Sequence, residues 1–596
     1  MASDTEDISR PTSADLSTTI TKIAEQSHCL FKAFLDQQFN VQEIENDPLN
    51  IGFAFAKVAE VLTTHPAEFG KAQEDLWRDY INLWQQTAHR IIGNEVEVLA
   101  EPEVDDRRFS HPAWQENPIF DGIKQSYLLT SRWMIKTVKE MKGMDPITAQ
   151  RAEFYTRQFV DAMAPTNFAF TNPEVIQETI ASNGQNIVRG LSNFLDDLER
   201  GNGKLAIKHV EPEAFVIGKT VAATPGKVVF QNDLLQLLQF NPTTSVVRKT
   251  PLLIVPPWIN KYYILDLREK NSFVKWAVEQ GHTVFVISWV NPDEKLAYKT
   301  FDDYMLEGPI AAVGAACSAA STDRINIIGY CIGGTITAAA LAHMAQEGDR
   351  RITSATFLTT LVDFEKPGDL GVFIDDKQIA GLEKKMTERG YLEGSEMATT
   401  FSMLRANDLI WSFVINNYLL GKEPFPFDLL FWNADSTRMP AAMHLYYLRM
   451  MYQCNSLAKP GELEMAGVKI DLRKINIPVY ILSAKEDHIA PWEATYKATQ
   501  LYAGDNTFVL ASSGHIAGVI NPPVSNRYSY YTNTNNPETP EDWFTTAEEH
   551  PGSWWGHWDN WVKKYAYGDV APRNPGDGPL KTIEDAPGSY VMVRPA

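Results

Sequence analysis

Six short apolar runs between residues 251 and 515 limit what this chain can become more than any other feature. They read "PLLIVPP" (251–257), "TVFVISWV" (283–290), "INIIGY" (325–330), "SATFLTTLVD" (354–363), "PVYILSAKED" (478–487) and "NTFVLASSGH" (506–515). Each is apolar at consecutive rather than alternate positions, and longer segments separate them. That texture predicts strands of a parallel sheet covered on both faces, an α/β class of fold.

The rest of the chain divides around these runs. Residues 1–20 are polar, rich in Ser, Thr and Asp, and are expected to be disordered. Residues 21–204 read as a mostly helical N-terminal domain. In it "DLWRDYINLWQQTAHRII" sets Leu76, Tyr80, Leu83 and Trp84 on one side at helical spacing, a stripe expected to pack into a core. Residues 205–596 form the second domain. More than ~100 residues separate the strand ending near Asp363 from the one starting near Val479, far beyond the roughly 2–6 of an ordinary αβ loop. That stretch holds "LIWSFVINNYLLGKEPFPFDLLFWNAD" and "HLYYLRMMYQ", too apolar for a free linker, so a cap subdomain is expected at about 364–477.

A formal net charge of −21 argues against a nucleic-acid binder, which neutralises phosphates with clustered Lys and Arg. An anionic substrate would need local basic residues to offset that field. The four cysteines, Cys29, Cys317, Cys331 and Cys454, are widely spaced without a CxxC pair, which fits a reducing compartment and offers no metal or disulfide framework. The acidic start "MASDTEDISRPTSADL" is unlike a signal peptide, and no apolar run approaches the ~20 residues of a membrane span. The expected location is the cytoplasm.

Chemistry concentrates at "INIIGYCIGGT". An apolar strand stops at a cysteine flanked by Gly329 and Gly333, and "TITAAALAHMAQE" continues as a helix. This is the pattern of a nucleophile elbow, with Cys331 where serine is usual. The glycines are needed because neighbouring Cβ atoms would clash, and the turn sets the sulfur at a helix N-terminus, which favours the thiolate. Elbow enzymes order their partners nucleophile, acid, histidine, on loops after later strands. Asp487 and His515 stand in that order at the ends of the last two runs. His515 would accept the thiol proton and Asp487 would hold or polarise His515, with Glu486 and His488 as rival positions. The oxyanion hole needs the N–H of Ile332 and a second donor from "IVPPWINKYYILDL", either Trp258 or Ile259, since Pro256 and Pro257 donate nothing. Trp258 could equally be packing.

A thiol nucleophile makes a thioester acyl-enzyme, close in energy to a thioester donor such as acyl-CoA. Transfer to a hydroxyl then runs downhill if water is excluded, which points to an acyltransferase. Here the chain resembles the single-subunit polyhydroxyalkanoate synthases. The resemblance rests on "DRRFSHPAWQENPIFDGIKQSYLL", "FVDAMAPTNFAFTNPEV", "TPLLIVPPWINKYYILDL", "FVISWVNPD", "GYCIGGT", "LTTLVDF", "FDLLFWNADST", "EDHIAPW", "SGHIAGVINPP" and "GSWWGHW", and it weakens over the first ~100 residues. It implies an α/β-hydrolase fold with a mobile cap that polymerises (R)-3-hydroxyacyl-CoA and releases CoA. It also implies a homodimer on intracellular granules and needs no cofactor or metal, CoA being part of the substrate and a product.

The family's cysteine, aspartate and histidine fall on Cys331, Asp487 and His515, the aspartate helping to activate the 3-hydroxyl of the incoming monomer or chain. The likeness suggests short-chain donors such as 3-hydroxybutyryl-CoA, with Ala517, Asn260 and the aromatics of "FDLLFWNAD" as pocket-shaping candidates. The rivals are a thioesterase, esterase or depolymerase of the same fold, and a non-catalytic granule scaffold.

Overall fold

A computed structural model describes residues 51–594, apart from 65, 95, 104 and 105. Cys29 and the tail expected to be disordered lie outside the described residues. Two compact units emerge: Met1–Glu211 with Phe401–Phe425, and Pro212–Thr400 with Pro426–Ala596. The boundary thus falls a few residues beyond 204. The stretch expected as one cap is divided, because Phe401–Phe425 packs with the N-terminal unit.

In the first unit, helices α1 (Ile51–Thr64), α2 (Pro66–Ile91), α3 (Pro118–Lys139), α4 (Pro146–Ala162), α5 (Pro173–Ala181) and α6 (Gln185–Arg200) follow one another. Three of them start on the same device. Asn117, Asp145 and Asn172 each precede a proline, and their side chains accept from Ile119, Thr148 and Glu174 N–H groups. Proline suits the first helical turn because its missing N–H would have no intrahelical acceptor there, and the capping oxygen satisfies a neighbouring orphan donor.

Leu83 is buried and Leu76 and Tyr80 half-buried, with the Tyr80 hydroxyl 2.6 Å from Thr130 Oγ1. Trp84, expected in the same stripe, is instead 72% exposed. Positions 76, 80 and 83 share one face, while 84 lies one residue step further round the helix, on the side of exposed Trp77 and Ile81. The returning segment Phe401–Phe425 seats against α6, where Asn186 donates to the Leu419 carbonyl at 2.8 Å.

The second unit is built on an eleven-stranded sheet: β1 (Gly226–Gln231), β2 (Leu235–Phe240), β3 (Leu252–Val255), β4 (Val284–Trp289), β5 (Ile325–Tyr330), β6 (Ile352–Leu358), β7 (Val479–Ala484), β8 (Asn506–Ala511), β9 (Ser529–Thr532), β10 (Glu548–Pro551) and β11 (Glu584–Asp585). The order across the sheet is β10-β9-β8-β7-β6-β5-β3-β4-β2-β1-β11. The six runs singled out in the sequence are β3 to β8, and all their mutual pairings are parallel. Antiparallel strands extend both edges. Strands β3 to β7 are buried at every position except the half-buried Thr353 in β6, as expected of a sheet covered on both faces. The reversal of order around β3 and β5 leaves the carboxyl ends of the strands as the place for a site, the general rule for open α/β sheets.

Candidate active site

Three loops at the carboxyl ends of β5, β7 and β8 carry the chemistry-bearing residues. β5 ends at Tyr330, Cys331 follows at φ 52°, and a fifteen-residue helix, α7 (Ile332–Gln346), begins at once. Positive φ at a non-glycine residue is a strained turn, and it thrusts the side chain out of the strand–helix junction. The strain is held by packing that only glycine permits. A Cβ on Gly329 would lie 2.5 Å from Gly334 Cα, and one on Gly333 would lie 2.3 Å from the Val255 carbonyl oxygen. The Cys331 N–H is tied to the Leu358 carbonyl at 2.9 Å, so the turn is fixed from β6 as well.

Asp487 stands three residues beyond β7 and His515 four beyond β8. Backbone bonds from Lys485 to Ala511 (2.8 Å) and from Glu486 to Ser513 (2.9 Å) draw the two loops together. His515 Nδ1 lies 2.6 Å from Asp487 Oδ2, and the other carboxylate oxygen accepts from the Ile489 and Ala490 N–H groups at 2.9 Å each. Of the rival positions, Glu486 is exposed, whereas the Asp487 side chain has 0% exposure. With Nδ1 engaged by Asp487, Nε2 is the ring nitrogen of His515 left for Cys331.

Burial alone would depress the His515 imidazolium. The facing charges of Asp487 and then Cys331 outweigh it and hold the group well above the usual histidine range. Cys317, by contrast, is buried against the sheet, where burial pushes its thiol up to about 11, and Cys454 is exposed on the surface.

The Ile332 N–H opens α7 and so has no intrahelical acceptor. On the facing loop the Trp258 side chain is 2% exposed and packs against Trp289, Tyr304 and Phe301 at ring distances of 5.3, 5.0 and 6.3 Å. Its side chain is therefore core, while the half-buried Ile259 follows it. Asn260 is half-buried too, its amide donating to the Asn433 carbonyl at 3.4 Å. Ala517 is half-buried in the turn that carries His515.

Residues 105–277 match the sequence profile described as the poly-beta-hydroxybutyrate polymerase (PhaC) N-terminus, and residues 251–522 match that of the alpha/beta hydrolase fold. The poly(3-hydroxyalkanoate) polymerase subunit PhaC of Rhizobium meliloti is 48% identical over 539 residues, covering 90% of this chain and 88% of that one. The poly(3-hydroxyalkanoate) polymerase of Methylorubrum extorquens is 48% identical over 539 residues, covering 90% and 89%. The PhaC subunit of Rhizobium etli is 45% identical over 561 residues, covering 93% and 88%. The chain belongs to the poly(3-hydroxyalkanoate) polymerase family. It is thereby an enzyme of the acyltransferase class.

Several residues around the family's elbow were not singled out in the sequence. The Tyr330 ring stacks on His515 at 5.9 Å and 28°, bracing the imidazole from the strand that leads into Cys331. The inserted segment contributes α8 (Ala441–Tyr447) and the turn after it, where Phe364, Tyr447 and Tyr452 pack with centroids 5.0 to 6.0 Å apart. Burial raises Tyr447 and Tyr452 well above the ordinary phenol value, with Tyr452 and then Cys331 adding to the effect at Tyr447 and Cys331 at Tyr452, so both remain neutral hydroxyls.

The "GSWWGHW" motif also finds a role. Trp554 and Trp555 donate their indole N–H groups to the Gly518 and Val519 carbonyls at 3.0 and 2.9 Å, pinning the His515 turn from beneath. A tryptophan pair in a C-terminal motif signals burial, but only the fold says which loop it holds.

Proposed function

We propose that this polymerase takes (R)-3-hydroxyacyl groups from their CoA thioesters and joins them into polyester, through an acyl thioester on Cys331. The observation that carries this reading is that the Cys331 elbow and the hydrogen-bonded pair of Asp487 and His515 share the sheet's carboxyl edge, with Tyr330 beside Cys331 stacked on His515.

In the first half-reaction His515 Nε2 takes the Cys331 proton and the thiolate attacks the acyl carbonyl carbon. The oxyanion is met by the Ile332 N–H and by a donor from the Trp258–Ile259 loop. The bond to the CoA sulfur breaks, and the departing thiolate recovers the proton from His515. In the second half-reaction the 3-hydroxyl of a monomer or growing chain gives its proton to His515 and attacks the Cys331 thioester. An ester forms, and the Cys331 thiolate takes the proton back.

Electrostatics favours this alternation. Acylation removes the negative charge on Cys331, one of the two charges that hold the His515 proton, so the imidazole releases it more readily just when a base is needed for the hydroxyl. Asp487 acts through His515, because its side chain is fully buried with both oxygens engaged. The neutral rings of Phe364, Tyr447 and Tyr452 supply an apolar wall that disfavours water as the acceptor. We place short-chain donors such as 3-hydroxybutyryl-CoA first, and read the protein as a cytoplasmic homodimer at the surface of polyester granules. No cofactor beyond the CoA of the substrate is required. Among the described residues no helix is long and apolar enough to cross a membrane, and no cluster of His, Cys, Asp or Glu could hold a metal.

The deciding assay supplies 3-hydroxybutyryl-CoA and follows CoA release together with product. Polymer is expected; free 3-hydroxybutyrate without polymer would make the protein a thioesterase. Asp487→Asn provides a finer check. The amide presents a donor to Nδ1 and favours the tautomer with its proton on Nε2, which cannot accept one from sulfur, and a loss of about 10⁴ in turnover is expected by analogy with other triads. Its loss of the carboxylate charge also lowers the His515 pKa, so the basic limb of the burst of CoA release should move to lower pH. An unmoved limb would remove Asp487 from the proton relay.

A further inference from the structure

The oxyanion loop does not hold its own shape. Residues 258–263 run alongside 432–437, a segment some 170 positions later in the chain, and polar contacts join the two along their length. Asn260 and Ser436 form an antiparallel bridge. Trp432 donates its indole N–H to the Lys261 carbonyl at 2.7 Å, and the Tyr263 hydroxyl donates to Asp435 Oδ2 at 2.9 Å. Lys261 and Asp435 make an ion pair of 2.7 Å with side chains only 3% and 5% exposed. At the active end of this zipper stands Thr437, 2% exposed. Its hydroxyl reaches both the Trp258 carbonyl and the Ile259 carbonyl, the latter at 2.9 Å, and its N–H donates to the Ile259 carbonyl at 3.1 Å.

Peptide planarity turns these contacts into a statement about a donor elsewhere. The Trp258 carbonyl and the Ile259 N–H belong to one trans peptide unit and point in opposite directions. Anchoring the carbonyl therefore fixes where the Ile259 N–H aims. On the other side Trp258 is locked by its aromatic neighbours, and the Pro256 carbonyl is held by Trp289 Nε1 at 2.9 Å. The peptide between Trp258 and Ile259 is thus clamped from both flanks, with the Thr437 hydroxyl donating to its oxygen.

We propose that Thr437 is a positioning residue for the oxyanion hole, fixing the Ile259 N–H as the donor that pairs with the Ile332 N–H. The assignment rests on the reading of Cys331 as the acyl-accepting nucleophile, and it selects Ile259 over Trp258 as the second donor. It also explains why this stretch of the long insertion buries three polar side chains in a row, Asp435, Ser436 and Thr437.

The test compares Thr437→Val, of nearly the same shape without the hydroxyl, with Thr437→Ser, which keeps it, in the full chain. Single-turnover CoA release is measured, with the binding of two CoA derivatives: a trifluoromethyl ketone analogue of the 3-hydroxybutyryl thioester, which a thiol adds to and converts into an oxyanion, and a thioether analogue, which it cannot attack. For Thr437→Val, kcat for acylation should fall about 10- to 100-fold, short of the 10²–10³ seen when an oxyanion donor is deleted outright. The ketone should weaken in parallel, while KM and thioether binding stay within about twofold; Thr437→Ser should recover most of both losses. Equal weakening of both derivatives, or a serine variant as impaired as the valine one, would overturn the proposal in favour of a merely structural role. So would an unchanged Thr437→Val. Failure of the unsubstituted protein to bind the ketone more tightly than the thioether would instead count against the nucleophile itself.

Discussion

Replacing Cys331 by alanine is expected to abolish CoA release while leaving the fold intact. Deleting the nucleophile of a comparable triad costs about 10⁶ in turnover, so the variant should be silent in any practical assay. Folding should survive because alanine tolerates the φ of 52° no worse than cysteine, and the glycines that permit the turn remain. The measurement is single-turnover CoA release from 3-hydroxybutyryl-CoA, with thermal unfolding as the control. A mass increase on the peptide that carries Cys331 in the unsubstituted protein should appear in the same time window. Turnover within tenfold of normal in the alanine variant would end the assignment of Cys331, as would acylation at another residue.

His515→Gln should be nearly as damaging, with a loss of about 10⁴ or more, since base and nucleophile act as one unit. Its signature is a changed pH dependence. In the unsubstituted protein the proton lost by the sulfur is held locally by an imidazole whose pKa lies well above its usual value. With glutamine in place, the sulfur must lose its proton to water, and unassisted thiols ionise near pH ~8.5. Acylation by the variant should therefore climb with pH through the alkaline range, where the parent no longer rises. A variant rate that ignores pH would mean that His515 is no base toward Cys331. Glutamine can still bond to the buried Asp487, so loss of folding is not the expected cause of inactivity.

How much of this was legible beforehand depended on how each residue signals. The six parallel strands announce themselves because burial on both faces leaves no room for polar positions, and unbroken runs such as "INII" and "VFVIS" have few other uses. Strands β1 and β2 give no such signal, because "KVVFQNDLLQLLQF" carries polar residues that look like surface. In the folded chain Gln236 and Gln239 are buried, their amide N–H groups donating to Ser589 Oγ at 3.0 Å and the Arg573 carbonyl at 3.2 Å. Those partners come from the far C-terminus, so no local pattern could have revealed them. Trp84 failed for a related reason. Helical spacing fixes which residues share a face, but the neighbours decide where that face ends.

The sequence by itself determined the elbow, the order of Cys331, Asp487 and His515, and the presence of a long apolar insertion. These are properties of residue type and linear spacing, set by strand period and by what a tight turn can tolerate. Only the tertiary structure decided that Asp487 rather than Glu486 meets His515, that Tyr330 braces the imidazole, and that Phe364, Tyr447 and Tyr452 pack together. It alone brought Thr437 to the carbonyls of Trp258 and Ile259, and it moved Phe401–Phe425 into the other unit. The physical reason is the same in each case. A hydrogen bond or a ring contact acts over a few ångströms, and which residues come within that distance is settled by how the elements pack, not by their separation along the chain.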